Sequence, residues 1–532
     1  MTTIKPQAPV SRHPRAAAGT TGSAPLNVWA RSATYAIVAF IASGATLLWA
    51  LARGRMLLYG DATAHLAIAR RIVDSATPGL SQLGTVWLPL PHLLMAPLAI
   101  FMPLWRSGLA GAVPSLAALV VATWLLHRLV KRAWGAGAAA WAAAFFCLNP
   151  SLLYLSAVPM TESIYLATFL GLVDQCGAFR LTAQRKHLWR AGGWGLAATL
   201  CRYDGWFVLP FALAVLLLGS SDWHEAWNRA WRLCVVAGAG PVFWLAYNGF
   251  YFSNPLAFLN GPYSAQAIAG AARYPGDHAI GVAALYYLKD VVLTCAVPIA
   301  ILALVGLIAW RLWSRRPEAW LLLLPLPWYI WAIWSGNVPI FLPQYWPHGF
   351  YNLRYGVQLL PAIALFSGLV VATLYAAAGR VTVIRGRLLA AGVALGLAIL
   401  CGAGYAATLR GAGPPSYAEA VHNAPARLAM EHDLAAALGG WRRGQRILMF
   451  YGTYPGALPD DGIPLHAVIQ EANFHLWQHA LAAPQRYVQW VVIESSTPTA
   501  RLVNRRDLRQ YFTQVAVLRV PTQHAIEVYE KK

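Results

Sequence analysis

The sequence predicts an all-α polytopic membrane protein of about eleven transmembrane helices, followed by a small C-terminal α/β domain in the extracytoplasmic (periplasmic) space. Three observations carry this. Of 532 residues, 58% are hydrophobic and only 11% charged, with a mean hydropathy of +0.49, whereas a soluble chain carries about a quarter charged residues. Apolar runs of about 20 residues, enough to cross a hydrocarbon core, recur as far as residue 409. From Gly411 onward the composition becomes that of a soluble domain.

Residues 1–30 are rich in Pro, Ala, Thr and Gly, hold Lys5, Arg12 and Arg15, and have no apolar period, so they read as a disordered cytoplasmic tail. The first apolar run, 32–52, lacks a small-residue cleavage site and reads as a retained anchor. Further crossings are expected at 111–130, 135–155, 163–179, 232–252, 290–312, 318–335, 355–377 and 388–409. The stretch 191–219 is interrupted by Cys201-Arg202-Tyr203-Asp204-Gly205 and reads as two short spans meeting at a polar turn. Residues 31–410 would thus form the transmembrane catalytic part and 411–532 the outer domain.

A formal charge of +21 could signal nucleic acid, but the cations fall in short clusters between apolar segments. Arg128-Lys131-Arg132, Arg180-Arg185-Lys186-Arg190, Arg229-Arg232, Arg311-Arg315-Arg316 and Arg380-Arg385-Arg387 occupy every second connection. This pattern orients a membrane protein with those loops in the cytoplasm, and no nucleic-acid partner is expected. The other connections hold Asp61, Glu162, Asp204, Asp277 and Arg354, which therefore share the outer face. Counting 85–104 as a span would break this parity. Its Pro89, Pro91, Pro97 and Pro103 interrupt helical hydrogen bonding, so it is expected to lie along or dip into the outer leaflet. The six cysteines sit in or beside apolar segments without CxxC spacing, which excludes a disulfide framework or cysteine zinc site.

In the outer domain, strands are expected at 446–452 and 487–494, helices at 473–481 and 501–512, and a terminal hairpin from 515–520 and 525–529. His475 and His479, with Glu471 before them, have helical i, i+4 spacing but no HExxH arrangement, so they are not read as a metal site. Walker and dinucleotide fingerprints are absent from the sequence, which argues against nucleotide-driven transport and a nucleotide-sugar donor.

Acids at the ends of apolar spans demand a reason, since a carboxylate near the bilayer centre costs about 2.5–3.5 kcal/mol. Sugar transfer from a lipid phosphate supplies one. The acceptor must lose a proton while charge builds on the leaving phosphate, tasks suited to a carboxylate and to the planar fork of an arginine. Asp61 is the candidate base, with an N-cap role as the alternative. His65 would share its helix face and reach substrate. Glu162 pairs with it functionally. Three roles stay open for this second acid: orienting the acceptor, tuning the base, or holding a divalent cation (Mg²⁺ or Mn²⁺) against phosphate. Arg354, an outer-face cation where topology favours none, is assigned to the lipid phosphate, with Tyr355 beside it in contact with substrate. Arg202 and Asp204 are expected as an ion pair closing two short helices and as further substrate contacts.

These residues, taken with the proline-rich Trp87-Leu88-Pro89-Leu90-Pro91-His92, the loop Met160-Thr161-Glu162, the turn Arg202-Tyr203-Asp204-Gly205 and Asn352-Leu353-Arg354-Tyr355, give an order of motifs that resembles the GT-C superfamily of polytopic glycosyltransferases. Within it the chain is similar to bacterial enzymes related to protein O-mannosyltransferases and lipid A aminoarabinose transferases, over roughly the first 410 residues. The resemblance implies a catalytic acid in the first outer loop, which falls on Asp61, and a second in the next, which falls on Glu162. It also implies a polyprenyl-phosphate-linked sugar donor and an acceptor outside the bacterial cytoplasmic membrane. Many relatives carry further acids where this chain has Ala62 and Ser163. The reading is a membrane hexosyl- or pentosyltransferase, inverting. A multi-span transporter or lipid flippase, whose site would lie near the midplane at broken helices such as 202–205, is the alternative, and a non-catalytic scaffold presenting the outer domain is a second.

Overall fold

The computed structural model describes residues 26–265, 267, 273–313, 316–378, 385–460 and 462–532. The expected tail lies outside these residues as far as residue 25, and its remainder belongs to the first helix, Leu26–Ala52. Arg315 and Arg380, of the expected cytoplasmic loops, also lie outside them.

Seven expected crossings appear as helices of sufficient length and apolarity. Five are single: Ser32–Ala52, Leu109–Trp134, Trp223–Phe252, Leu353–Ala377 and Ala391–Thr408. Two are bent pairs with physical causes. Ala136–Cys147 turns by 64° into Pro150–Ser156, where Pro150 cannot continue the hydrogen-bond ladder and Asn149 caps the new helix by accepting from Leu152. Ile280–Cys295 turns by 112° into the helix that follows, about Ala296 at φ +66°.

The four remaining expected crossings are helical but unlike free spans. Glu162–Thr182 is buried along almost its whole length in the middle of the bundle. Lys186–Thr199, Tyr203–Leu217 and the pair Glu318–Leu322 and Pro325–Trp334 are shorter than a full crossing. The stretch 85–104 forms two short helices, Pro89–Ala99 and Met102–Ser107. At 1.5 Å per residue the longer is about 16 Å, half the hydrocarbon thickness, and cannot cross.

The C-terminal part opens with a helix not expected from the sequence, Pro415–Ala437. A mixed five-stranded sheet follows, ordered β2-β1-β3-β5-β4. Strands β1 (Ile447–Leu448), β2 (Val468–Ile469) and β3 (Trp490–Glu494) are parallel. The hairpin of β4 (Phe512–Leu518) and β5 (Ile526–Lys531) adds antiparallel to β3. Helix 474–482 packs Trp477 and Leu481 against Leu448, Ile469, Val491 and Ile493. The expected helix 501–512 is two short ones, Pro498–Leu502 and Arg505–Tyr511, because Asn504 starts the second as its N-cap.

Two of this domain's grips on the bundle lie close to Asp61 in sequence. Asp74 accepts from the backbone amides of Leu465 and His466 and meets the His466 ring at 2.6 Å, while Asn473 donates to Ser75 and Thr77. On the other side, Arg427 donates to the carbonyls of Leu57 and Leu58 at 2.7 and 3.1 Å. Both grips fall on segments flanking Asp61.

Candidate active site

Four segments distant in sequence converge at one end of the bundle. Asp61 lies in the first turn of the helix Gly60–Arg71. The N-cap position belongs to Tyr59, so the carboxylate of Asp61 is free to reach across, and it receives Arg354 Nη2 at 2.5 Å. Glu162 starts the helix Glu162–Thr182 and lies 3.4 Å from Arg354 Nε. Arg354 follows Asn352, which sits in the left-handed region at φ +60° and turns the chain into a 3-10 helix, Leu353–Leu359. One guanidinium therefore contacts both acids.

The fourth segment is the polar turn. Arg202 pairs with Asp204 at 3.2 Å, approaches Glu162 at 3.6 Å, and donates to Thr161 Oγ1 and the Tyr329 hydroxyl. Tyr329 in turn donates to Asp204 at 2.8 Å. Gly205 permits this. A Cβ there would lie 2.4 Å from the carbonyl oxygen of Ala198, so only glycine lets the helix starting at Tyr203 pack so closely on its predecessor. Tyr355 is shared between the cations, each guanidinium 5.2 Å from its ring centroid.

Burial grades across this cluster. The side chain of Asp61 is 35% exposed, that of Arg354 11% and that of Glu162 1%, so Asp61 stands at the mouth and Glu162 at the floor. Glu162 Oε2 is buried without a hydrogen-bond partner, an acceptor left unpaired beside the two guanidiniums.

His65, one turn beyond Asp61, hydrogen-bonds His92 at 2.9 Å, and His92 reaches the carbonyl of Leu88 at 3.1 Å. A carbonyl can only accept, so His92 Nδ1 carries the proton and its Nε2 accepts from His65 Nδ1. His65 Nε2 is left as an acceptor, and the His65 and Trp87 ring centroids lie 4.3 Å apart. Burial, then the charges of Arg354 and Arg202, push the His65 pKa down to about 3. Burial does the same to His92, so both rings stay neutral at physiological pH.

Two features were not expected from the sequence: His92 as the partner that fixes His65, and Glu419 on the helix Pro415–Ala437. Glu419 accepts from the backbone amides of Asn352 and Leu353, each at 2.8 Å. Asp277 lies apart from the cluster, beside His278. Glu471, placed next to the two helical histidines, accepts instead from the amides of Tyr451 and Gly452. Among the described residues no three His, Cys, Asp or Glu side chains converge as a metal site. Between Asp61 and Glu162 a guanidinium supplies the positive charge.

At the other end of the same central helix, about 18 Å along its axis from Glu162, buried Asp174 pairs with Arg128 and Arg132. Arg128 and Arg132 thus lie at the opposite end of the helix Glu162–Thr182 from the Asp61–Arg354–Glu162 cluster.

No protein-family model matches the sequence, and no curated protein matches it either. Solved structures do. ArnT from Cupriavidus metallidurans bound to undecaprenyl phosphate aligns with a TM-score of 0.53 at 15% identity, over 95% of this chain and 98% of that one. The apo state of the same ArnT gives 0.50 at 18% identity, over 93% and 98%. The Archaeoglobus fulgidus oligosaccharyltransferase in its apo form gives 0.50 at 10% identity, over 94% of this chain and 74% of that one. All are polytopic GT-C membrane proteins, and the chain has their fold. The GT-C-like architecture expected from the sequence is the one found.

Proposed function

We propose that the protein is a glycosyltransferase of the cytoplasmic membrane that moves a monosaccharide from a polyprenyl-phosphate carrier to an acceptor on the extracytoplasmic side, with inversion at the anomeric carbon. The observation that carries this is Arg354 lying between a partly exposed acid and a buried one, Asp61 at 2.5 Å and Glu162 at 3.4 Å. The ArnT with the same fold is bound to undecaprenyl phosphate, which supports a lipid phosphate as the anion that Arg354 receives.

The chemistry follows from those positions. A donor phosphate entering at the mouth competes with Asp61 for the guanidinium of Arg354, which leaves the carboxylate of Asp61 as a base. The acceptor O–H or N–H gives its proton to Asp61 as the heteroatom bonds to C1 of the sugar. The bond from C1 to the phosphate oxygen breaks, and its electron pair leaves with the polyprenyl phosphate, which gains a second negative charge. Arg354, already turned to the phosphate, and Arg202, held by Asp204, Thr161 and Tyr329, meet that charge. Glu162 orients Arg354 and Arg202 from below. His65 Nε2 offers a neutral acceptor, and the Trp87 ring a surface for the sugar.

A divalent cation does not fit the space between Asp61 and Glu162 while Arg354 fills it, so no step passes through one. The outer domain is assigned to acceptor recognition. Asp61→Asn protein that folds and still transfers sugar at the wild-type rate in a reconstituted membrane would overturn the base assignment; a loss of about 10²–10⁴-fold is expected.

A further inference from the structure

We propose that Glu419 is a positioning residue for the transfer reaction, through which the C-terminal domain completes the site. This rests on the glycosyltransferase reading above. The 3-10 helix that carries Arg354 begins at Leu353, so the amides at its start lack partners within the helix. The side chain of Asn352 does not cap them; its Nδ2 donates to the carbonyl of Pro339 at 2.8 Å. Glu419 does so from another part of the chain, with Oε1 taking the Asn352 amide and Oε2 the Leu353 amide, both at 2.8 Å. Two successive backbone donors held by the two oxygens of one carboxylate fix the direction in which the next residue, Arg354, leaves the backbone.

The same helix fixes the other half of the Arg354–Asp61 pair. The Tyr59 hydroxyl donates to the carbonyl of Ser416 at 2.6 Å and lies 3.2 Å from Glu419 Oε2. Two residues later comes Asp61, and the preceding carbonyls of Leu57 and Leu58 are held by Arg427. Glu419 is 2% exposed. Its carboxylate oxygens are taken up by the Asn352 and Leu353 amides and the Tyr59 hydroxyl. Its place in the mechanism is therefore to hold the segment Asn352-Leu353-Arg354 against the segment Tyr59-Gly60-Asp61. The contacts of this helix then do more than anchor the outer domain. Docking of the helix Pro415–Ala437 sets the spacing of acid and cation.

Full-length protein in lipid nanodiscs decides this with two measurements on wild type, Glu419→Gln and Glu419→Asp. The first is hydrogen exchange of peptides covering residues 350–356; the second is the affinity for undecaprenyl phosphate. Glutamine keeps the volume but presents an NH₂ to one of the two amides, so Glu419→Gln should lose the protection of Asn352 and Leu353 and bind undecaprenyl phosphate about tenfold more weakly. Glu419→Asp keeps both acceptors on a shorter arm and should recover part of each. Wild-type protection with wild-type affinity in Glu419→Gln overturns the proposal. So does a uniform loss of protection across the protein, the signature of mere destabilisation. If Glu419→Gln does not fold, Glu419→Asp decides by the same criteria. Failure of the wild type itself to bind undecaprenyl phosphate overturns the glycosyltransferase reading, and with it a role for Glu419 in transfer, whereas the exchange data report separately on whether Glu419 orders the segment.

Discussion

Replacing Arg354 by alanine withdraws the cation that contacts both acids, and its consequences can be worked out from the geometry. At 3.4 Å, the gross attraction between Arg354 and Glu162 is about 5 kcal/mol at an effective dielectric near 20. Orphaning a buried carboxylate costs about 3–5 kcal/mol. Glu162 keeps Arg202 at 3.6 Å, which places the expected loss of stability near the lower end, at about 3 kcal/mol. The pair with Asp61 adds little, because that carboxylate is 35% exposed and water takes over its solvation. Function should fall further than stability. Losing one charge-assisted contact to phosphate weakens undecaprenyl phosphate binding by roughly 10- to 100-fold, and losing a donor to the developing charge slows transfer by about 10²–10³-fold. The double variant Arg354→Ala/Glu162→Gln separates the two effects. It removes the orphaned charge, so thermal stability should largely return while phosphate affinity stays low. Thermal melts in detergent and lipid titrations followed by native mass spectrometry provide both readouts. The reasoning is refuted if Arg354→Ala binds within twofold of wild type, or if the double variant regains affinity along with stability.

Two further outcomes follow from the same contacts. Gly205→Ala drives a Cβ to within 2.4 Å of the Ala198 carbonyl oxygen and 2.9 Å of the Thr199 amide; neither backbone atom can yield cheaply, so a loss of about 1–3 kcal/mol is expected, with weaker phosphate binding because Arg202 and Asp204 move with the helix. Melting and lipid titration check this, and unchanged binding at reduced stability would show that the turn does not position Arg202. At the other grip, burial raises the pKa of Asp74, but hydrogen bonds from His466 and the charge of Arg70 outweigh it and hold the carboxyl below its ordinary value of 3.8. A depressed acid stabilises above its ordinary pKa and loses that contribution as pH falls through the folded value. The protection of the Leu465 and His466 amides, taken relative to the intrinsic exchange rate at each pH, should therefore be flat from about pH 8 to 5 and fall only below about pH 4, whereas Asp74→Asn should show little protection throughout.

Much of this site was legible because acids are scarce in the chain. Asp61, Glu162 and Asp204 each interrupt an apolar neighbourhood, and Arg354 stood out as a cation on the face that topology leaves poor in cations. The structure brings all four within one chain of contacts. The bends were less legible. Asn149-Pro150 is a visible break, but the turn at Ala296 depends on one residue in a left-handed conformation that apolar periodicity does not encode. Of the helix 415–437 only Pro415 at its first turn and the glycine-free run behind it gave a signal. Glu419 had none, since it sits in a segment of ordinary soluble composition and its partners are backbone amides 66 and 67 residues away. Likewise His65 was placed by helical spacing beside Asp61, yet its tautomer is set by His92, a contact between two helices that spacing along one helix cannot reveal.

The central claim is that Asp61 accepts a proton during transfer of a lipid-linked sugar, and mass spectrometry of envelope lipids, glycans and proteins from cells carrying wild-type or Asp61→Asn protein tests it most directly. With Asp61→Asn protein that folds and binds undecaprenyl phosphate normally, one sugar modification should disappear and the matching polyprenyl-phosphate-sugar should accumulate. Persistence of every modification, or accumulation of a substrate inside sealed vesicles without a covalent product, would contradict the account.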